Sequence, residues 1–299
     1  MIYTVTFNPA IDYVVKIPFL DTGTVNRSAA ENIYFGGKGI NVSLILSQLG
    51  IPSTALGFTA GFTGKAIEEG VSKAGVKTDF VRLEKGFSRI NVKIKSDNET
   101  ELNGQGPDIS DKAIKMLYEK LDTLKDGDML ILGGSIPSSL PSDIYENILH
   151  HLSAKKIMTA VDASGKLLLN TLKYKPFLVK PNKNELSEIF GADIFEKEDV
   201  IKYGKKLKAM GAVNVLVSLA GDGAVFIDEY ENIHIQSACE GSVKNSVGAG
   251  DSMLAGFIAG YLKNGYEYAL KLGTAAGAAT AFSDGLGEKE EIYRLLATV

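Results

Sequence analysis

The chain has 299 residues, of which 45% are hydrophobic and 23% are charged, and its formal net charge is −4. This length suits a globular protein with a sizeable core, and the acidic balance supplies no overall basic field that would attract nucleic acid. The one cysteine, Cys239, excludes an internal disulfide and suits a reducing compartment.

Two stretches bear on where the protein works. The N-terminal MIYTVTFNPAID lacks a basic leader and is interrupted by Asn8 and Pro9, so it is not typical of a signal peptide. The longest apolar run, MLAGFIAGYL, is too short to span a bilayer. We therefore expect a cytoplasmic protein that binds neither membranes nor nucleic acid.

Short apolar segments alternate with helical segments along most of the chain. Strands are predicted at 2–7, 54–58, 128–134, 157–164, 177–180 and 213–218. Helices are predicted at 39–49, 64–75 and 110–124, from 142, shortly after 164, around 184, and at 198–210. This alternation predicts a parallel sheet covered by helices on both faces. In such sheets, ligands bind beyond the carboxyl ends of the strands.

Residues 12–34 and 89–103 break this rhythm, because they contain strand-like pieces without intervening helices. In RINVKIK (89–95), apolar and polar side chains alternate strictly, which predicts one apolar and one polar face. A turn is expected at Asp97–Asn98. We expect the two segments to pair as a small antiparallel sheet over the main body. An exposed apolar face on that sheet would indicate a lid or a dimer surface.

The stretch NSVGAGDSMLAG (245–256) places two glycines and an acid at the start of a predicted helix, near Gly250. Gly248 and Gly250 would let successive backbone N–H groups point at an anion, and the helix dipole would add positive charge there. Asp251 would then suit the role of a base for a hydroxyl that attacks a phosphate. A helix N-cap with a glycine turn is the alternative. Met253 breaks the G-x-G-x-x-G pattern, and no P-loop pattern occurs.

A second glycine cluster, FGGKGIN (35–41), also precedes a predicted helix. Its glycines would permit close approach of a ligand, Lys38 would supply a charge, and the amide of Asn41 suits sugar hydroxyls. Ordinary turn chemistry would explain the cluster equally well.

Together, GGKGIN and NSVGAGDSMLAGF resemble the two signatures of the ribokinase-like (PfkB) carbohydrate kinases. The resemblance covers the whole chain, since NPAID, GGS, VKPNKNEL and VSLAGDGA follow in the family's order. NPAIDYVV, TVNR, GFTAGFTG, RINVKIK and ETELNGQGP are similar to its 1-phosphofructokinase branch. The resemblance implies a three-layer α/β/α fold with a mostly parallel central sheet and a small antiparallel β lid. It also implies a single kinase domain over residues 1–299, with the lid at about 12–34 and 89–103.

The resemblance further implies roles for individual residues. Asp251 would be the general base, and the backbone N–H groups of Gly248, Ala249 and Gly250 would form the anion hole. The sugar site would comprise Asp12, Gly37, Lys38, Asn41 and Asn103, with Arg89, Arg27 and Ser135 as candidates for its phosphate. ATP would contact Lys180, Ser218, Gly221, Gly223 and Gly250. Asn182 and Glu185 would organise Mg²⁺ through water, although they also read as a helix capping box.

The function that the resemblance implies is transfer of phosphate from ATP to the 6-hydroxyl of fructose 1-phosphate. Tagatose 6-phosphate and fructose 6-phosphate remain alternative acceptors within the same family. A non-catalytic sugar-phosphate sensor and a nicotinamide dehydrogenase are alternatives of other classes, and the missing dinucleotide fingerprint disfavours the dehydrogenase. Pairing of two copies through the lid is a further expectation.

Overall fold

Two sheets and nine α-helices build the fold, which a computed structural model describes for residues 1–299. The strands are β1 (Ile2–Thr6), β2 (Ala10–Lys16), β3 (Ala30–Gly36), β4 (Ser53–Ala60), β5 (Lys77–Thr78), β6 (Val81–Leu83), β7 (Arg89–Lys95), β8 (Thr100–Asn103), β9 (Met129–Gly133), β10 (Met158–Asp162), β11 (Leu178–Val179), β12 (Asn214–Ser218), β13 (Ala224–Ile227) and β14 (Ile233–Gln236). The helices are α1 (Lys38–Gln48), α2 (Gly61–Lys73), α3 (Asp111–Leu121), α4 (Ile144–His151), α5 (Gly165–Leu169), α6 (Lys183–Phe190), α7 (Lys197–Ala209), α8 (Ala249–Ala281) and α9 (Lys289–Leu296).

The central sheet has the strand order β14-β13-β12-β11-β10-β9-β1-β4-β5, and β6 also pairs with β4. Its pairings are parallel from β12 to β5, and only the β12–β13 and β13–β14 pairings are antiparallel. Every residue of β4 is buried, as is typical of a strand covered on both faces. The β13–β14 hairpin and α9 were not anticipated from the sequence.

Helices cover the central sheet on both faces. On one face, side chains of α3, α4, α6 and α7 join a cluster of 33 buried residues, and on the other, those of α1, α8 and α9 join a cluster of 27. The similar sizes show that both faces are packed, so the predicted three-layer α/β/α fold is confirmed. None of the helices combines the length and the apolar character needed to cross a membrane.

The second sheet, which we call the lid, has the order β3-β2-β7-β8. Its two outer pairings are antiparallel, whereas the central β2–β7 pairing is parallel. That direction could not be read from the sequence, because β2 and β7 come from separate excursions of the chain. β7 has the two faces predicted for RINVKIK, but the polar residues are the more buried: Asn91 is 6% and Lys93 is 8% exposed. Their face is turned toward the central sheet, where both residues line a cavity.

Candidate active site

A cavity of about 1080 Å³ lies between the lid and the carboxyl edge of the central sheet. Most of the residues selected from the sequence line it: Asp12, Gly37, Lys38, Asn41, Arg89, Asn103, Lys180, Asn182, Glu185, Ser218, Gly221, Gly223, Gly248, Ala249, Gly250 and Asp251. They come from segments far apart in the chain, and they meet because parallel strands end at one edge.

Two residues selected from the sequence lie elsewhere. Ser135 lines an adjoining cavity of about 350 Å³, which also touches Lys38 and Arg89. Arg27 is exposed on the loop between β2 and β3 and lines neither cavity. The structure therefore brings Ser135 beside the basic residues, but it does not bring Arg27 to the other sugar-site candidates of this chain.

The glycine cradle is formed where α8 begins. Gly248 is the N-cap with φ 81°, and a Cβ on it would lie 2.8 Å from Cδ2 of Leu286. The N–H of Ala249 donates to the carbonyl of Ser246 at 3.3 Å, whereas those of Gly248 and Gly250 donate to no backbone carbonyl. Free N–H groups at a helix N-terminus favour an anion. Two of the three expected anion-hole donors are thus available.

Asp251 is buried in the first turn of α8. Its Oδ2 accepts a hydrogen bond from Nδ2 of Asn41 at 2.8 Å, which fixes the orientation of the carboxylate. Burial raises the pKa of Asp251 to about 6, and the nearby negative charge of Asp162 adds to the rise. A carboxylate with a raised pKa is a stronger base, and it can remain ionised at neutral pH.

Asp162, at the end of β10, was not found from the sequence. It is 1% exposed, and Nζ of Lys38 donates to its Oδ1 at 3.0 Å. Nζ of Lys180 lies 3.2 Å from its Oδ2, which is an ion-pair distance without hydrogen-bond alignment. Burial alone would raise the pKa of Asp162, but the charges of Lys180 and Lys38 outweigh burial and hold it below its usual value. This acid therefore stays ionised and fixes both lysines.

Lys180 lies at the cradle, since its Nζ is 3.2 Å from the position of a Cβ on Gly250. Burial tends to lower the pKa of Lys38, but the charges of Asp162 and Asp251 raise it above the usual value. Lys180 therefore stands beside the cradle and Lys38 lines the same cavity, so both cations are in a position to attract phosphate groups.

The sugar-site candidates continue from Asn41 to the lid. The carboxylate of Asp12 lies beside Gly36, where a Cβ would be 3.0 Å from its Oδ2 and 3.7 Å from Oδ1 of Asn41. Arg89 donates from Nε to the carbonyl of Asn8 at 3.1 Å, and burial lowers the pKa of its guanidinium. Because Arg89 reaches both cavities, it is well placed to face an anion between them.

Asn182 and Glu185 form the capping box of α6 that the sequence allowed. Oδ1 of Asn182 accepts from the N–H of Glu185 at 2.8 Å, and Oε2 of Glu185 accepts from the N–H of Asn182 at 2.8 Å. Oε1 of Glu185 takes no part in the capping box, and Glu185 lines both cavities. No group of three His, Cys, Asp or Glu side chains could hold a metal directly. One free carboxylate oxygen suits a largely hydrated Mg²⁺.

The nucleotide-site candidates lie beyond Lys180. Ser218 ends β12, and Gly221 has open space where a Cβ would stand. Ala220, in the turn that follows β12, has φ 51°. The left-handed conformation costs an alanine about 1–2 kcal/mol, so the backbone of this turn is strained at Ala220.

Comparison with known proteins identifies the family. The family described as pfkB family carbohydrate kinase matches residues 3–292. The chain belongs to the pfkB family. It is therefore an enzyme, a carbohydrate kinase, and pfkB membership implies ATP as the phosphoryl donor.

Several members of the pfkB family are similar over the whole chain. The 1-phosphofructokinase of Bacillus subtilis (strain 168) is 47% identical, with 100% of this chain and 98% of that protein covered. The D-tagatose-1-phosphate kinase of Bacillus licheniformis is 39% identical, with 98% and 96% covered. The structure of phosphofructokinase-2 from Escherichia coli, in complex with substrates and products, has a TM-score of 0.93 and 26% identity, with 99% and 98% covered.

Proposed function

We propose that the enzyme transfers phosphate from ATP to the 6-hydroxyl of fructose 1-phosphate, giving fructose 1,6-bisphosphate. The observation that carries the proposal is the buried Asp251 beside the free N–H groups of Gly248 and Gly250. A base and an anion cradle at adjacent positions suit direct in-line phosphoryl transfer without a phosphoenzyme.

In this mechanism, Asp251 takes the proton from the acceptor hydroxyl as the hydroxyl attacks. Asn41 holds the carboxylate through its 2.8 Å hydrogen bond. The free N–H groups and Lys180 stabilise the negative charge on the transferring group. Lys180 and Lys38 are both held by Asp162, so they need little reorganisation during the reaction.

ATP would lie along Ser218, Gly221 and Gly223 at the far end of the cavity. Mg²⁺ would be held through water by Glu185, with Asn182 fixing the position of that carboxylate. When bound, the ion would neutralise charge on the triphosphate. The sugar would lie against Asp12 and Asn41, with its phosphate near Arg89, Lys38 and Ser135.

We also propose how the molecule is organised. The lid carries large exposed apolar side chains, with Ile33 57% and Leu102 60% exposed. A second copy would cover this face, so we propose a homodimer through the lid.

Residues 1–299 would act as one kinase domain, with the lid at about 12–34 and 89–103. Cys239 is free and suits the reducing cytoplasm, where we place the reaction.

The second candidate acceptor is tagatose 1-phosphate, which the Bacillus licheniformis relative is named for. It differs from fructose 1-phosphate only in configuration at C4. Fructose 6-phosphate and tagatose 6-phosphate are less favoured. The two Bacillus relatives are named 1-phosphofructokinase and D-tagatose-1-phosphate kinase, and neither name refers to a 6-phosphate.

The test is ADP release from ATP and Mg²⁺ with each of these four ketose phosphates at matched concentrations. We expect kcat/KM for fructose 1-phosphate to exceed the others by about tenfold or more, which is about 1.4 kcal/mol. The control variant is Asp251→Asn, which should bind nucleotide in a titration but release no ADP.

Other outcomes would change the proposal in defined ways. Preference for a 6-phosphate would contradict the assigned substrate but leave the base and cradle intact. Turnover by Asp251→Asn at a substantial fraction of the wild-type rate would remove Asp251 from the base role. Binding of a sugar phosphate without ADP release would contradict the kinase proposal and favour a sensor.

A further inference from the structure

The cavity-facing side of β7 presents two polar residues that have no role in the mechanism above. Asn91 and Lys93 are buried, they point to the same side of the strand, and both line the main cavity. Strand interiors normally place apolar side chains on the buried face. The reversed pattern indicates that this face is adapted to a polar ligand.

The side-chain amide of Asn91 has a hydrogen-bond partner for its nitrogen but none for its oxygen. Its Nδ2 donates to Oδ1 of Asp12 at 2.8 Å, across the parallel β2–β7 pair in which the two residues are direct partners. Its Oδ1 is buried and accepts no hydrogen bond. A buried acceptor without a donor is costly, so this oxygen is suited to a donor that arrives with a ligand.

Lys93 lies between two carboxylates of the lid. Its Nζ is 3.8 Å from Oδ2 of Asp12, on β2, and 3.9 Å from Oε1 of Glu101, on β8. The side chain is only 10% exposed. Because it is already shared by two acids, Lys93 is less suited to binding a phosphate than to holding the carboxylate of Asp12 in place.

We propose that Asn91, together with an Asp12 carboxylate held in place by Lys93, determines which ketose the site accepts, an inference that rests on the proposed function. Oδ1 of Asn91 accepts a hydrogen bond from one sugar hydroxyl while Asp12 accepts from a neighbouring hydroxyl. Lys93 is a positioning residue that acts through Asp12. The two acceptors are on adjacent strands, which are spaced about 4.8 Å apart, so they would satisfy two hydroxyls of one relative configuration. An epimer with one hydroxyl reversed leaves an acceptor unpaired.

The experiment uses two variants, each with a matched control on the same face of the lid. Asn91→Ala is compared with Asn32→Ala on β3, and Lys93→Met with Lys95→Met on β7. Asn32 and Lys95 line neither cavity. For each protein, kcat and KM are measured with fructose 1-phosphate and with its C4 epimer, tagatose 1-phosphate. The KM for ATP and the melting temperature are recorded as well.

We expect the wild type to discriminate between the epimers by about tenfold or more in kcat/KM. Asn91→Ala should lower kcat/KM for the preferred epimer by a similar factor and affect the other less, so that the ratio falls toward one. Lys93→Met should raise the KM for the sugar by about tenfold, with kcat and the KM for ATP nearly unchanged, and Lys93→Arg should restore most of the loss. Both control variants should behave as the wild type.

The inference is overturned if Asn91→Ala leaves the ratio unchanged, if the wild type does not discriminate, or if the controls show the same losses. A ratio that is unchanged would mean that water satisfies Asn91. If the wild type uses only 6-phosphates, the assigned substrate fails, and the same ratio is measured with fructose and tagatose 6-phosphates. The two failures are therefore separable. If no ketose phosphate is a substrate, both proposals fail.

Discussion

At the scale of single residues, the site contains two buried acids with opposite electrostatic environments. Asp251 has its pKa raised by burial and by Asp162, whereas Asp162 has its pKa lowered because two lysines outweigh its burial. Pairs of acids whose environments separate their pKa values commonly divide catalytic work between them. Under the proposed mechanism, Asp251 would be the base and Asp162 would stay an anion.

The base role predicts a pH dependence. Asp251 must be ionised to accept a proton, and its pKa of about 6 lies above the usual value for an aspartate. Activity should therefore be constant above about pH 7 and fall as the pH drops through 6, by about tenfold per unit at lower pH. The measurement is the pH profile of kcat/KM for the sugar phosphate.

The phosphate groups of the substrates also titrate near pH 6. A variant can show whether the acidic limb of the profile comes from Asp251 or from these phosphate groups. The hydrogen bond from Asn41 lowers the pKa of Asp251, so Asn41→Ala should move the acidic limb to higher pH. Asn32→Ala should leave the limb in place. A limb at the same pH in Asn41→Ala would assign it to the substrate rather than to Asp251.

At the scale of elements, the capping box of α6 would carry structure and the proposed function together. Glu185 caps the helix with Oε2 and keeps Oε1 free. Glutamine can serve in the same capping box, so Glu185→Gln should keep the melting temperature. It should raise the Mg²⁺ concentration for half-maximal activity by about tenfold, since the carboxylate charge is lost.

The matched control for this variant is Glu188→Gln, an exposed residue on the same helix that lines neither cavity. It should leave both quantities unchanged. A large fall in melting temperature for Glu185→Gln, with an unaltered Mg²⁺ requirement, would reduce Glu185 to its capping role.

The sequence was informative where a pattern is local. Glycine clusters, helix caps and the period of apolar residues predicted most of the strands, most of the helices and the glycine turn at the start of α8. Asp162 was missed because its meaning depends on Lys38, 124 residues away, and on Lys180. The orientation of β7 was also beyond a local pattern: alternation predicts two faces but not which one faces the cavity. Ala220 shows that a left-handed turn can form without glycine.

At the scale of the whole molecule, the exposed apolar face of the lid predicts self-association. The wild type should be a dimer in light scattering, and Leu102→Lys should shift it toward the monomer, because a buried unpaired charge opposes association. The control is Phe195→Lys, which alters an apolar residue that is 75% exposed away from the lid. A wild-type monomer, or equal effects of the two variants, would contradict pairing through the lid.

The reversed faces of β7 have a consequence for how the molecule unfolds. A sheet that turns amides and charges inward gains little free energy from burial. The hydrogen bonds between the strands of the lid should therefore open more easily than those of the central sheet. Amide hydrogens of β7 and β8 should then exchange with solvent long before those of β9 and β1. A bound sugar would supply the hydrogen bonds that this sheet lacks, and lid closure would become a local folding event. Because the closed lid would form only with a sugar bound, hydrolysis of ATP in the absence of an acceptor would be limited.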